Sequence, residues 1–171
     1  MRDTIKITYL ELPPDAEIRA PSRPEPPGFG VREVHDPAVN ADLYRRVGAD
    51  YAWIDRLRWS DEEWRRWADR VHTFVIELAG ATAGYWELER ESDSSAKIPI
   101  FGLLGEYHGR GLGGHALTAA LRLGRQFAPR VWLTTCTLDG PHALPNYLAR
   151  GMRPFREETA ALPASWARAA S

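Results

Sequence analysis

Four glycines occupy six consecutive positions in Gly109-Arg110-Gly111-Leu112-Gly113-Gly114. Ahead of them runs the strand-like KIPIFGLL (97–104), and after them an apolar spacing predicts a helix from about Leu112 to Phe127. A strand, a turn stripped of side chains and a helix, in that order, leave the N–H groups of the helix's first turn uncovered. Aided by the helix dipole, those groups make an anion site that a phosphate reaches only where no Cβ stands in the way.

Three phosphate-bearing ligands compete for such a turn, beside the plain alternative of a glycine-rich connection that holds nothing. Gly109-x-Gly111-x-x-Gly114 spells the dinucleotide fingerprint. The strands before it read as hairpins, however, and too few residues follow for the repeated crossovers of that fold. A nucleoside-triphosphate loop needs Lys and Ser or Thr after its last glycine, and no such pair is present. The pyrophosphate of coenzyme A is the third.

The rest of the chain reads as one mixed α/β domain. TIKITYLEL (4–12) alternates as a strand, and the Pro-rich stretch 13–30 reads as an arm. From GVREV (30–34) the order is β–α–α–β–β–β–α–β–α–β. Ser60-Asp61-Glu62-Glu63 is a capping box, with Trp59 and Trp64 at the staple positions and Trp67 on the same face. Gly48 is expected to stop the first helix, and Gly151 the last, which is read over 141–150. Residues 1–30 are thus expected to be strand plus arm, 31–160 the domain, and 161–171 a tail.

With 22 basic against 23 acidic residues, the net charge of −1 gives no electrostatic case for nucleic acid or an anionic membrane. The N-terminal residues lack an apolar signal core, and no run approaches a membrane span, so a cytoplasmic protein is expected. Cys136 is the only cysteine, which excludes an internal disulfide or a cysteine-based zinc site; no metal is expected. Cys136 is read as a core residue of its strand and His115 as a surface residue.

HGRGLGGHAL after FGLLGEY, followed by VWLTTCTLDGPHALPNYLARGMRPF, resembles the GNAT superfamily of acyl-CoA-dependent N-acyltransferases. Its signature [QR]-x-x-G-x-[GA] falls on His108, Gly111 and Gly113, and its later segment on Ala143, Tyr147, Gly151 and Met152. LYRRVGADYAWIDRLRWSDEEWRRW and AGYWELER resemble one bacterial branch of it. The resemblance covers about 31–157. It implies a central, mostly antiparallel twisted sheet in which the family's fourth and fifth strands splay, with helices on both faces. It also implies acetyl-CoA as co-substrate, a small-molecule amine as acceptor and, at family level, a homodimer.

The resemblance carries roles onto particular residues. Free backbone groups of the splayed strand, at Leu103 and Leu104, would pair with the pantetheine arm. The main chain from His108 and Gly109 through Arg110, Gly111, Leu112 and Gly113 to Gly114 would cradle the pyrophosphate, with the Arg110 side chain adding charge. Asp139 and Asn146 would lie beside the cofactor. Tyr147 would protonate the departing thiolate. Tyr44, Tyr51, Trp53 and Trp59 occupy the helix–loop–helix that would roof the acceptor site, several of them as core, with Tyr44 and Trp53 the expected contacts to the amine.

Three positions depart from the family. His108 replaces Gln or Arg, and its main chain can do the same work. The asparagine often found seven residues before the tyrosine is Gly140. The glutamate often found eleven residues before the signature is Lys97: relatives read E-I-A-Y-F-G-L where this chain reads K-I-P-I-F-G-L. A lysine base at neutral pH would need burial to disfavour its charge by about 4 kcal/mol; alternatively Lys97 stays charged and binds a substrate carboxylate. Glu87 and Glu89 share a strand face with Tyr85. Glu87 is the expected general base, directly or through a water, and Glu89 a substrate contact. Open beside acetyl transfer are another acyl group, different chemistry on the same fold, and a CoA-binding protein without turnover.

Overall fold

The strand expected over 97–104 is two strands, and the break between them shapes the molecule. A computed structural model describes residues 4–162; residues 163–171 of the expected tail lie outside the described residues. In chain order the elements are β1 (Thr4–Leu12), β2 (Phe29–Val34), α1 (Pro37–Gly48), α2 (Asp61–Arg70), β3 (His72–Leu78), β4 (Ala81–Arg90), β5 (Ser95–Lys97), β6 (Phe101–Leu103), α3 (Leu112–Phe127), β7 (Arg130–Cys136), α4 (Ala143–Ala149) and β8 (Arg153–Ala161). A short 3₁₀ turn, Gly105–Tyr107, leads from β6 to the glycines.

The strands form one sheet in the order β2-β3-β4-β5-β7-β1-β8, with β6 also paired to β4. Every pairing is antiparallel except β5 with β7. β5 bridges β4 and β7, with Glu89 opposite Lys97 and Lys97 opposite Trp132. The last bond to β7 runs from the Ile98 N–H to the Trp132 carbonyl, at 2.9 Å. Pro99 follows, with no N–H to continue the ladder. β6 then keeps β4 as its neighbour, with Tyr85 opposite Gly102, and leaves β7 unpaired beside it. The two strands diverge from that point into a V.

Alternation along the strands divides the interior between the two sheet faces. Trp86, Leu88, Phe74, Ile76, Leu10 and Leu133 join Leu117 and Leu121 of α3 in one core. Val75, Tyr85 and Ile100 join Leu43, Tyr44 and Val47 of α1 and Trp64 of α2 in the other. The capping box at Ser60 forms as expected: Ser60 Oγ accepts from the Glu63 N–H (3.2 Å) and Glu63 Oε2 from the Ser60 N–H (2.7 Å). Such a cap contributes about 1 kcal/mol. The staple rings of Trp59 and Trp64 lie 4.9 Å apart.

Four local expectations are corrected. Gly48 lies inside α1, whose C-cap is Ala49. α4 starts at Ala143, after Pro141, and not with it. His115 is buried on the inner side of α3 against Phe29, because the helix's polar stripe lies elsewhere. Cys136 is only half-buried, since the end of β7 is open on that side. The Pro-rich arm is tied down: Arg125 donates to the Pro13 carbonyl (2.6 Å) and to that of Ala16, and the Arg19 N–H donates to the Arg150 carbonyl (2.9 Å). None of the arm's residues lines the V. No helix among the described residues is long and apolar enough to cross a membrane.

Candidate active site

The V between β6 and β7 is a cleft of about 770 Å³. Ile98 to Leu103 form one wall, Leu133 and Thr134 the other, and the glycine turn and α4 close its ends. The backbone of β6 is divided between sheet and cleft. The Leu104 N–H donates to the Ala83 carbonyl (2.8 Å), and the Ile100 carbonyl accepts from Glu87 (3.0 Å). By alternation the backbone groups of Phe101 and Leu103 face away from β4, toward the gap. Leu103 thus stands where a cleft-facing group was expected, but Leu104 does not: its amide is spent in the sheet, and Phe101 supplies the second position.

The glycine turn leads into a helix whose first N–H groups have no side-chain cap; its N-cap is Gly111 at φ +77°. Gly109 is at φ +74°, and a Cβ at either position would meet nothing within 4 Å. L-residues resist these φ values, and the space above the turn is clear. No acidic side chain stands in the helix's first turn. The site suits an anion on both counts. Arg110 is exposed, its guanidinium 5.2 Å from the Tyr107 ring centroid and off the cleft wall. The Leu112 side chain is buried in the core, so only its main chain serves the turn.

His108 does more than its main chain required. Its Nε2 lies 2.8 Å from Tyr51 Oη and 3.1 Å from the Leu103 carbonyl oxygen. The Tyr51 ring reaches over from the α1–α2 loop toward the β7–α4 side: a Cβ on Gly140 would stand 3.0 Å from Tyr51 Cε1. The position lacking the family's asparagine is the one that this ring occupies. Sequence reading missed both contacts; the paired departures at His108 and Gly140 were the signal. Trp53 lies against Gly102, where a Cβ would meet the indole at 3.2 Å, and it lines the cleft as expected.

Tyr147, on α4, lines the cleft while 6% exposed, its ring 6.4 Å from that of Phe101. Burial, then the charge of Asp139 and the Tyr51 phenol, push its pKa well above that of an ordinary phenol, so it stays protonated. Asn146 Nδ2 donates to the Gly113 carbonyl (3.1 Å) and holds α4 against the start of α3. Asp139 Oδ2 accepts from Thr135 Oγ1 and the Cys136 N–H, which closes the turn after β7.

The other expected side chains are not in the cleft. Glu87 is wholly buried under α1 and α2, its carboxylate taking donors from Asn40 Nδ2 (2.7 Å), Trp67 Nε1 (2.9 Å) and Arg56 (3.2 Å). Burial raises its pKa, opposed by Arg56 and these hydrogen bonds. A carboxylate shut in by three donors is not presented to a substrate, which corrects its reading as the general base. Glu89 is bound by Arg70, with Nε 2.6 Å and Nη2 2.5 Å from Oε1. Tyr44 is buried, its hydroxyl accepting from the Arg56 N–H (3.3 Å). Neither lines the cleft, which corrects both as substrate contacts. Lys97 sits at the point of the V, outside the cleft, with Nζ 4.8 Å from the Trp132 ring centroid. Held against that ring and off the cleft wall, the amine is not presented to an acceptor in the cleft, which corrects its reading as the base.

No curated protein matches the chain. Solved structures do. A GCN5-related N-acetyltransferase from Kribbella flavida matches over 93% of this chain with a TM-score of 0.62 at 18% identity. Another, from Sphaerobacter thermophilus, matches over 94% with a TM-score of 0.64 at 15% identity. The chain spans only 58% and 53% of those two proteins. At such identities the likeness is one of fold. The model of the acetyltransferase (GNAT) family matches residues 40–152, more than half of the chain and all of the parted strands, the glycine turn and α4. The chain therefore belongs to the GNAT acetyltransferase family.

Proposed function

We propose that the protein transfers the acetyl group of acetyl-CoA to a primary amine of a small molecule, by direct attack on the thioester. The observation that carries this reading is the junction of three features in one cleft: an uncapped helix start over bare glycines, cleft-facing backbone groups on β6, and a neutral phenol.

The main chain from Gly109 to Gly114 holds the pyrophosphate, and Leu103 pairs with the pantetheine arm. The N–H of Phe101 receives the charge that gathers on the thioester oxygen as the amine adds. Tyr147, kept protonated by burial, gives its proton to the departing sulfur and recovers one from solvent or from the amine. Acetyl-CoA supplies the activated acyl group. No side-chain base is required: roughly 1% or less of an alkylamine is neutral at pH 8, a cost of about 3 kcal/mol that positioning can offset. Trp53 lies where the acceptor enters.

Calorimetric titration of acetyl-CoA into wild type and Gly111→Leu, followed by thiol-release assays over a panel of amines, tests the reading. Saturable binding lost in the variant, with amine-dependent thiol release in wild type, is the expected result. CoA binding without release for any amine would leave a binding protein; no binding would make the turn scaffold.

A further inference from the structure

The sheet face at the point of the V carries a row of cross-strand neighbours: Glu89 on β4, Lys97 on β5, Trp132 on β7 and Glu11 on β1. The two carboxylates in this row are already taken. Glu89 is bound by Arg70, and Glu11 by Arg130 at 2.6 Å. Lys97 Nζ has no carboxylate within bonding reach among the described residues, and lies over the Trp132 ring. The Trp132 Nε1 is itself buried without a hydrogen-bond partner. Lys97 thus presents a cation without a carboxylate partner, beside a ring that offers an apolar wall.

We propose that Lys97 and Trp132 form a subsite for an anionic group, a carboxylate, at the far end of the acceptor amine. The inference rests on the acetyl-transfer reading and names its substrate class. Lys97 begins where β5 and β7 part, one residue before the first that lines the cleft, Ile98. Three residues lie between it and Phe101, whose N–H faces the reacting carbonyl, and the four steps of chain span at most about 13 Å. The lysine side chain shortens that gap but does not close it. Amine and carboxylate are therefore several bonds apart, as in an ω-amino acid, and not on one carbon as in an α-amino acid. The same residue that removes the family's glutamate supplies the charge that selects such an acceptor.

The test has a binding arm and a turnover arm. With CoA-loaded protein, hexanoate and hexan-1-ol are titrated by NMR against wild type, Lys97→Gln and Lys97→Arg, each checked by thermal melting. Hexanoate is expected to bind wild type and Lys97→Arg and to weaken at least tenfold in Lys97→Gln, with hexanol indifferent to all three. Equal hexanoate binding in wild type and Lys97→Gln, or none in wild type, overturns the subsite. In turnover, 6-aminohexanoate is expected to beat hexylamine and glycine at least tenfold in kcat/KM. Lys97→Gln should abolish that preference through KM. Charge-dependent hexanoate binding without acetylation of any amine would sink the transfer reading and keep the subsite. Acetylation of hexylamine and 6-aminohexanoate with equal efficiency would do the reverse.

Discussion

Glu87 and Tyr147 are both buried acids within reach of β6, and the chain treats them in opposite ways. Glu87 is surrounded by its own protein: Asn40, Trp67 and Arg56 occupy its oxygens, and Arg56 is itself held over Trp67, with its Cζ 4.1 Å from the ring centroid. Tyr147 has burial on one side and an open cleft on the other, and no hydrogen bond to its hydroxyl is formed among the described residues. Burial raises the pKa of both. A polar group whose valences are filled from within holds elements together; one left with an unfilled valence toward space is available to a ligand. Perturbed acidity alone does not distinguish the two, and hydrogen-bond partners do.

The largest effect should come from breaking the filled side. Glu87→Ala leaves three donors, among them the partly buried Arg56 guanidinium, without an acceptor, and should lower unfolding free energy by about 3–5 kcal/mol in urea titration. CoA affinity of the folded protein should stay within about twofold, since the Glu87 carboxylate is held by Asn40, Trp67 and Arg56 and does not line the cleft. The pH dependence has a definite sign. Because the folded-state pKa of Glu87 is raised, its contribution is full below the ordinary carboxylate value and is lost as pH rises through the raised one. Glu87→Gln cannot titrate, so that part of the stability–pH slope should vanish. An Ala variant of wild-type stability that had lost thiol release would restore Glu87 to the catalytic machinery.

On the open side, Gly111→Leu places a branched side chain at φ +77° and above the anion site. Backbone strain of about 1–2 kcal/mol should lower the melting temperature modestly, while acetyl-CoA affinity falls at least 100-fold, about 2.7 kcal/mol. A variant that melts earlier but binds normally would make the glycine purely conformational. Tyr147→Phe should bind CoA as wild type does and lose about 100-fold in kcat, the lower end for a positioned proton donor. Unchanged kcat would mean that solvent protonates the sulfur and that the phenol only packs α4.

This contrast also marks how far the sequence could be read. The helix after the glycines was legible to the residue, Leu112 to Phe127, because composition, periodicity and strand context agree there. The family's two motifs placed the turn and Tyr147 correctly against each other, since both sit on one β–α–β–α stretch with short connections. The Glu87 reading failed for a tertiary reason. Period-two alternation gives the face on which a strand residue lies, but not whether a neighbouring loop covers it. Arg56 lies 31 positions away in chain and fills that space. The split of 97–104 was foreshadowed by Pro99, which a strand bonded on both sides would not tolerate at that position.

The smallest effect concerns the pair that substitutes for a missing side chain. Gly140 stands where relatives often carry asparagine, and Tyr51 fills the vacated space with a ring whose hydroxyl reaches His108. Gly140→Asn alone must push that ring aside, because its Cβ would come within 3.0 Å of Tyr51 Cε1. Tyr51→Ala alone opens a gap and frees His108. If the two positions are alternatives for one volume, the double variant recovers part of what either loses. The coupling, from melting and from CoA affinity, should be about 0.5–1 kcal/mol in the compensating direction. Strict additivity would mean that Tyr51 owes its place to His108 alone. Coupling in affinity as well as in melting would put the Tyr51 ring among the groups that wall the cofactor. That would move one member of the α1–α2 loop, otherwise bound up with the Glu87 cluster, to the open side of the comparison.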